Sequence, residues 1–553
     1  MGQVWWKDKV IYQIYPRSFC DSNGDGIGDI PGIISKLDYL KELGVDLLWI
    51  SPLYASPNYD NGYDISDYYA IHSDFGTMAD FDRLVAEAGR RGIGIIMDMV
   101  INHTSTDHPW FQKSMRGEES YKDFYIWQPG KGGKKPNKWT GFFGGDTWEY
   151  VEERGEYYLH LFAKEQADLN YRNPLVVEAM EEVMTFWLDK GVKGFRLDVI
   201  NIIHKDSLED GAFRPVLRGS EFYLSRPGLH VLLKNFHQKI WAPHEAYTVG
   251  ETVFVDPDEA RRLTDPDRKE LSAIFAFEHM ETDCFGVKWF PRSFSPGRFF
   301  KVLAKWQAAL PWNTVYFENH DQPRSLSRFG DPEAYPRESG KALALLLLSL
   351  RGTPFIYQGQ EIGMTNFDFT SMDQVEDVES RQVWSIIRKA HFPRGLYWKV
   401  IRAKSRDNAR TPMQWSGEAG AGFTTGKPWL GINHNHVTCN VAEEEGDPDS
   451  LLHFYRRLLA YRKGSAPLLE GDFHEVYREG SVWAFERRTE EGEGLLFQIN
   501  LSAKPSRAHR SGPCLFSSYE EDRVGETLRP YEAALMEIPV GDDDRKGESN
   551  DKE

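Results

Sequence analysis

Four short runs in this sequence end in groups that can move protons or stabilise charge. "DMVINH" closes on Asn102 and His103, "GFRLDV" carries Arg196 and Asp198, "VGE" ends in Glu251, and "FENHD" ends in His320 and Asp321. A lone strand-end aspartate is ordinarily a helix cap or loop hydrogen-bonder, and a lone histidine is ordinarily structural. Coincidence carries the weight here: three carboxylates, two histidines and an arginine stand at the same end of successive strand-like runs. Arg196 lies two residues before Asp198 and shares its strand face, so the cation can orient that carboxylate and keep it ionised. Crowded carboxylates suit cleavage of a glycosidic bond. One ionised group attacks or stabilises an oxocarbenium-like centre, and one protonated group donates to the leaving oxygen. There is no GxGxxG after a strand and no GxxxxGK[ST], so phosphate-loop chemistry finds no support.

The elements that must position these groups alternate regularly. Strand-like runs at 10–16, 45–51, 93–100, 194–199, 246–251, 271–277, 313–318 and 353–359 are mostly separated by amphipathic helical stretches. Strand–helix alternation implies parallel pairing, and eight repeats predict an α/β fold of the (β/α)8 TIM-barrel type, with an open doubly wound sheet as the alternative. In a barrel, catalytic groups come from the C-terminal ends of strands, where these polar residues stand. A long insertion at 104–172 follows strand three and reads as an inserted domain; a loop of that length is usually functional. The barrel then runs through 173–467, with a second insertion at about 365–430. From 468 to 541 short β segments joined by charged turns predict a small antiparallel β domain, and 542–553 reads as a charged, disordered tail.

Composition narrows the partners. The chain has 553 residues and a formal charge of −18, which argues against nucleic acid or an anionic membrane. Four widely spaced cysteines form no CxxC pair, which fits a reducing compartment. The opening residues read as a strand without an apolar leader region, and "LALLLLSL" at 343–350 is too short to span a membrane. The expectation is a cytoplasmic protein, monomeric or weakly self-associating, acting on a small ligand. Aromatic residues make up 14%, enough for large cores and also for rings lining a cleft.

"DSNGDGIGD" at 21–29 matches the first half of a calcium-binding EF-hand loop, yet its twelfth position is Gly32 rather than a bidentate glutamate. What remains is an oxygen cage from Asp21, Asn23, Asp25, the Ile27 carbonyl and Asp29, suited to Ca²⁺ or Mg²⁺, with a metal-free glycine-rich turn as the alternative.

"DMVINH", "GFRLDVI", "VGE" and "FENHD", in that order and at suitable spacing, resemble the four signature regions of the α-amylase family of glycoside hydrolases. "QIYPRSFCDSNGDGIGDI", "DNGYDISDY", "IYQGQEIGMTN" and "RDNARTPMQW" are similar to the oligo-1,6-glucosidase, dextran glucosidase and exo-α-glucosidase group. The resemblance implies a retaining double displacement. Asp198 would be the nucleophile, Glu251 the general acid and then base, and Asp321 the stabiliser of the transition state. His103, His320 and Arg196 would hold the reacting glucose. Glu251 should then have a raised pKa while Asp198 stays charged. The resemblance also carries over Asp60 and Tyr63 from "DNGYD" and Arg410 from "RDNARTPMQW". The acid and the arginine would close the pocket around a non-reducing glucose, with a structural salt bridge as the alternative role for Arg410. Similar loops in the group bind a structural Ca²⁺.

The residue after the nucleophile is Val199, and in this group valine goes with α-1,6 linkages. Trehalose-6-phosphate hydrolases carry it too, so they stand as the alternative activity, with Lys205, Lys288 and His204 as candidates for a phosphate-binding cluster. An α-1,4-preferring enzyme or transglucosidase of the same fold stands beside them. A non-catalytic relative is opposed by the retained carboxylates. Gln360 replaces a glutamate usual in relatives, which would remove a charge near the pocket rim. "EHMETDCFGVKWF" lacks the arginine-rich "RLDRD" of sucrose isomerases.

Overall fold

The computed structural model describes residues 4–214, 216–389 and 393–539. Eight parallel strands form the barrel: β1 Ile11–Ile14, β2 Leu47–Ile50, β3 Gly94–Met99, β4 Gly194–Leu197, β5 Tyr247–Glu251, β6 Ala273–Phe275, β7 Thr314–Val315 and β8 Thr353–Tyr357. Pairing runs β6-β5-β4-β3-β2-β1-β8-β7, so only the β6–β7 seam lacks a backbone ladder. Side chains join that seam: Thr314 Oγ1 donates to the Ile274 carbonyl at 2.6 Å and Tyr316 OH to the Ala276 carbonyl at 2.9 Å. β1, β2, β4 and β8 are buried along their whole length, as parallel strands covered on both faces require.

The sequence predicts longer sixth and seventh strands, and the structure shortens both. The segments that carry Phe277 and His320 leave the sheet early and bend over the rim. Helices follow every strand: α1 Leu37–Leu43, α2 Met78–Arg90, α3 Pro174–Asp189, α4 Pro227–Phe236, α5 Pro257–Thr264, α6 Pro296–Ala309, α7 Pro336–Ser349 and α8 Leu451–Gly464. Local chemistry starts them well. α2 opens on a reciprocal Thr77/Asp80 capping box, and α3 on an Asn173 cap with proline at the first turn. "LALLLLSL" lies in and just after α7, buried between the barrel and the C-terminal sheet.

Aromatic rings fill the barrel. Trp49, Phe275 and Phe355 pack edge-on or tilted with centroids 4.7–6.2 Å apart, and the Arg196 guanidinium lies 5.3 Å from the Trp49 ring. They are the floor on which the polar rim stands. Gly194 lets β4 approach β5: at φ +150° a Cβ would sit 1.9 Å from the Tyr247 carbonyl oxygen.

The insertion after β3 holds a three-stranded sheet of Trp127–Gln128, Glu156–Leu159 and Trp148–Val151. An antiparallel pair roots it, with His103 opposite Asp168. The segment after β8 carries helices Val378–Lys389 and Arg394–Lys404. From Asp472 a five-stranded antiparallel sheet forms the C-terminal β domain, and Trp483 stacks on Phe300 of α6 at 5.2 Å. The predicted tail at 542–553 lies outside the described residues.

Candidate active site

β3 and β4 are in register at Asp98 and Arg196, which brings both side chains into the barrel mouth. Arg196, 2% exposed, donates through Nη1 to Asp98 at 2.8 Å and to Asp198 at 2.6 Å, and through Nη2 to Glu251. One guanidinium therefore spans β3, β4 and β5 and gathers three carboxylates. The Val199 backbone N–H donates to the same Glu251 oxygen at 3.2 Å, from a left-handed turn with φ +37°. A β-branched residue rarely adopts that conformation.

A second cluster closes the other side. Tyr63 OH donates to Asp98 at 2.8 Å and lies 2.6 Å from His320 Nε2, with the two rings stacked at 5.4 Å. Gln13 Nε2 lies 2.7 Å from His320 Nδ1, and His320 Nε2 faces Tyr63 and, at 3.1 Å, Asp321. Arg410 donates to Asp321 at 2.7 Å and to the His320 carbonyl at 3.0 Å. Arg406 donates to Asp60 at 3.1 Å and to Asp377 at 2.7 Å.

The cavity, partly open to solvent, measures about 240 Å³. Asp60, Tyr63, His103, Asp198, Val199, Glu251 and Asp321, all picked out from sequence, line it. Arg196, His320 and Arg410 stand behind that lining, at 2%, 0% and 1% exposure. Arg410 is thus not the arginine paired with Asp60. Arg406, four residues earlier in the same "RDNARTPMQW" stretch, takes that place, because Arg410 is turned inward onto Asp321.

Charge is distributed unevenly over the carboxyls. Asp198 is held well above the usual carboxylate range: burial dominates, Arg196 opposes it, and Glu251 and Asp98 add to it. Asp198 and Glu251 share the Arg196 guanidinium. Asp321 is the reverse case. Burial alone would raise it, but His320, Arg406 and Arg410 outweigh burial and hold it well below the usual range. Two carboxyls joined by one guanidinium and a third held ionised are an arrangement suited to acid-assisted displacement at an acetal carbon.

Several groups of this site escaped the sequence reading. Asp98, fully buried, begins the "DMVINH" run but looks like a core strand position. Gln166 reaches from the base of the insertion to within 3.3 Å of Asp60. Phe142, Phe143 and Phe162 wall the cavity from the insertion, where only an aromatic-rich composition gave notice. Of the phosphate-cluster candidates, Lys288 alone lines the cavity, and it is held by Glu379. Lys205 is buried on Asp168, and His204 faces Asp206. Gln360 is 5% exposed and does not line the cavity, which corrects its expected place at the rim.

The 21–29 loop is closed largely by its own amides. Asp21 accepts from Asn23, Gly24 and Gly26 N–H groups, Asn23 from Asp25, and Asp25 from Ile27. Asp29 accepts from Ser22 with one oxygen and caps helix Ile30–Ser35 with the other. Among the described residues no cluster of three or more His, Cys, Asp or Glu side chains is arranged to hold a metal ion. The fit to a hard cation is therefore partial: Asp21, Asn23, Asp25 and the Ile27 carbonyl share one turn, whereas Asp29 is committed to the helix.

A (β/α)8 barrel with an arginine-bridged carboxylate pair and a third carboxylate in one cavity defines a glycoside hydrolase. Residues 13–471 match the family described as "Alpha amylase, catalytic domain", and the chain belongs to the α-amylase family. It is 46% identical to an oligo-1,6-glucosidase of Parageobacillus thermoglucosidasius, over 97% of this chain and 100% of that one. The crystal structure of Bacillus licheniformis trehalose-6-phosphate hydrolase superposes with TM-score 0.90 at 41% identity, covering 96% of this chain and 99% of that one. The crystal structure of isomaltulose synthase from Erwinia rhapontici gives TM-score 0.93 at 37% identity, covering 97% and 99%.

Proposed function

We propose that this protein is a retaining, exo-acting α-glucosidase that releases terminal glucose from short α-glucans, with α-1,6 linkages preferred. The observation that carries the reading is the Asp60–Arg406 pair at the wall of the cavity that holds Asp198 and Glu251. Such a pair accepts and donates to free terminal hydroxyls. An internal glucose, whose hydroxyl is already linked, would leave it unsatisfied.

In the first step Asp198 attacks the anomeric carbon while Glu251, as general acid, gives a proton to the leaving oxygen. In the second, Glu251 takes a proton from water, whose oxygen displaces Asp198 with a second inversion. Arg196 carries the negative charge as it passes between the two carboxyls. Asp321, ionised throughout, faces the positive charge developing on the sugar ring.

The α-1,6 preference is supported by Val199 beside the leaving-group site and by the names of relatives such as the glucan 1,6-alpha-glucosidase of Streptococcus pneumoniae. A phosphorylated aglycone is disfavoured by charge. Six carboxylates line the cavity against Lys288 and Arg406, and Lys288 is already paired. Four free thiols support a reducing, cytoplasmic location. We assign a structural hard cation, Ca²⁺ or Mg²⁺, to the 21–29 turn, held by Asp21, Asn23, Asp25 and the Ile27 carbonyl.

The test is glucose release from isomaltose, maltose, panose, trehalose and trehalose-6-phosphate in parallel. Isomaltose and panose should lead; trehalose-6-phosphate leading would replace this reading with the phosphodisaccharide one.

A further inference from the structure

Lys205 is 4% exposed and lies outside the cavity, yet three elements converge on it. Its Nζ donates to Asn102 Oδ1 at 2.8 Å, just past β3, and to Asp168 Oδ1 at 2.7 Å, at the root of the insertion. Lys205 itself sits in the loop after β4. An ammonium group has donors and no acceptor, so the Asn102 atom facing it must be the carbonyl oxygen. That choice turns the Asn102 amide nitrogen the other way, onto Asp168 Oδ1 at 2.7 Å and His103 Nδ1 at 3.1 Å.

The amide nitrogen also can only donate. His103 Nδ1 must therefore be the acceptor, which leaves the ring proton on Nε2. The remaining contacts agree. Nε2 lies 3.0 Å from the Tyr63 carbonyl, which can only accept. Gln166 Nε2, 3.1 Å away, has its two hydrogens on Asp60 and the Tyr63 carbonyl, while its oxygen accepts from Ala163 N–H. Burial keeps the His103 ring neutral, against the pull of Asp168, so the tautomer is defined.

We propose that Lys205 is a positioning residue: together with Asp168 it orients Asn102 and so fixes His103, which lines the sugar cavity, as the Nε2–H tautomer that donates to the Tyr63 carbonyl. The neutral pair Lys205–Asp168 supplies this orientation without adding net charge next to the substrate. In its absence Asn102 is held through Asp168 alone; an amide turned with its oxygen toward Nδ1 becomes accessible, and in that state the His103 proton would move to Nδ1. The kinetic part of this proposal rests on the α-glucosidase reading; the tautomer part does not.

The experiment is ¹⁵N NMR of the imidazole nitrogens of the full-length protein, with His103 assigned through a His103→Asn spectrum. Wild type should show protonated Nε2 and unprotonated Nδ1. Lys205→Met should shift His103 toward Nδ1–H, and raise KM for isomaltose with a fall of about tenfold in kcat/KM, the scale of one lost buried hydrogen bond. Lys205→Arg, which still only donates, should restore most of both. Asn102→Asp, whose carboxylate only accepts, should force Nδ1–H even if the methionine variant fails to fold. Nδ1–H in wild type, or an unchanged Nε2–H signal in both Lys205→Met and Asn102→Asp, would overturn the proposal. Absence of activity on any glucoside, with the tautomers as stated, would count against the glucosidase reading alone.

Discussion

Arg406 Nη2 stands 3.1 Å from Asp60 Oδ1, and the two side chains are 8% and 5% exposed. A buried pair at a cavity wall can bind a terminal hydroxyl with both charges already balanced, so the free site does not carry an uncompensated ion. Arg406→Ala leaves Asp60 buried without that partner and removes a donor to the sugar. The expected result is a loss of about 10²–10³ in kcat/KM on short oligosaccharides, mostly through KM. Arg410→Ala acts more directly on Asp321, which Arg410 meets from behind at 2.7 Å and Arg406 only at 3.4 Å. Its loss should appear in kcat. Steady-state kinetics of both variants on isomaltose separates the two roles, and equal effects on KM and kcat would refute the assignment.

Val199 joins two functions in one residue. Its backbone holds Glu251 from a left-handed turn, and its side chain lines the cavity. Val199→Ala keeps the N–H and removes two methyl groups beside the leaving group. The ratio of kcat/KM for maltose to that for isomaltose should rise about tenfold or more, the scale of a methylene or two in a pocket. Val199→Gly should in addition relieve backbone strain of about 1–3 kcal/mol, partly cancelling the stability lost with the side chain. An unchanged linkage ratio in both variants would remove Val199 from the list of specificity determinants.

The sequence made the barrel legible because strand and helix periods alternate, and parallel strands buried on both faces read as apolar runs. It made the rim legible because Asp198, Glu251 and Asp321 follow those runs directly. What it could not display is direction. "RDNARTPMQW" contains two arginines four residues apart, and one short helix, Asp407–Arg410, decides that Arg406 points to Asp60 while Arg410 turns under Asp321. Asp98 stayed hidden because a buried carboxylate inside a strand is read as an exception until Arg196 is placed beside it. How far burial outweighs one guanidinium at Asp198 is likewise encoded by no motif.

His230 on α4 bridges Glu259 of α5, at 3.1 Å, and Glu270 before β6, at 2.7 Å. Hydrogen bonds to Glu259 and Glu270 raise its pKa to about 9, against burial. The folded state therefore binds this proton more tightly than the unfolded chain does. The stability it confers is complete below the unfolded value near 6.5 and is lost as pH rises through about 9. The group is half-buried, so solvent screening reduces its contribution to about 1–2 kcal/mol. His230→Gln should lower Tm at pH 6 and leave it nearly unchanged at pH 10. A pH-independent Tm difference between wild type and variant would exclude the linkage.

The 21–29 turn gives the last prediction. Asp21 accepts backbone N–H groups of its own loop and the Thr424 hydroxyl of the segment after β8, so it fastens the β1 loop to the far insertion. Both Asp21 oxygens are doubly occupied, Oδ1 by the Asn23 and Gly24 amides and Oδ2 by Gly26 and Thr424, whereas Asn23 and Asp25 each accept from one amide, and Asp25 is exposed. A hard cation bound there would replace loop self-closure with coordination from Asp21, Asn23, Asp25 and the Ile27 carbonyl, without needing Asp29. The turn contacts neither Asp198 nor Glu251, so its grip should appear in thermal stability and not in turnover at 25 °C. Chelation should lower Tm by several degrees, Ca²⁺ should restore it, and Asp25→Ala should abolish that response with kcat within twofold of wild type. Asp29→Ala should instead lower Tm equally with and without Ca²⁺, because it removes a helix cap of about 1 kcal/mol. Melting that ignores both chelator and added cation would reduce the turn to a self-closed glycine-rich loop.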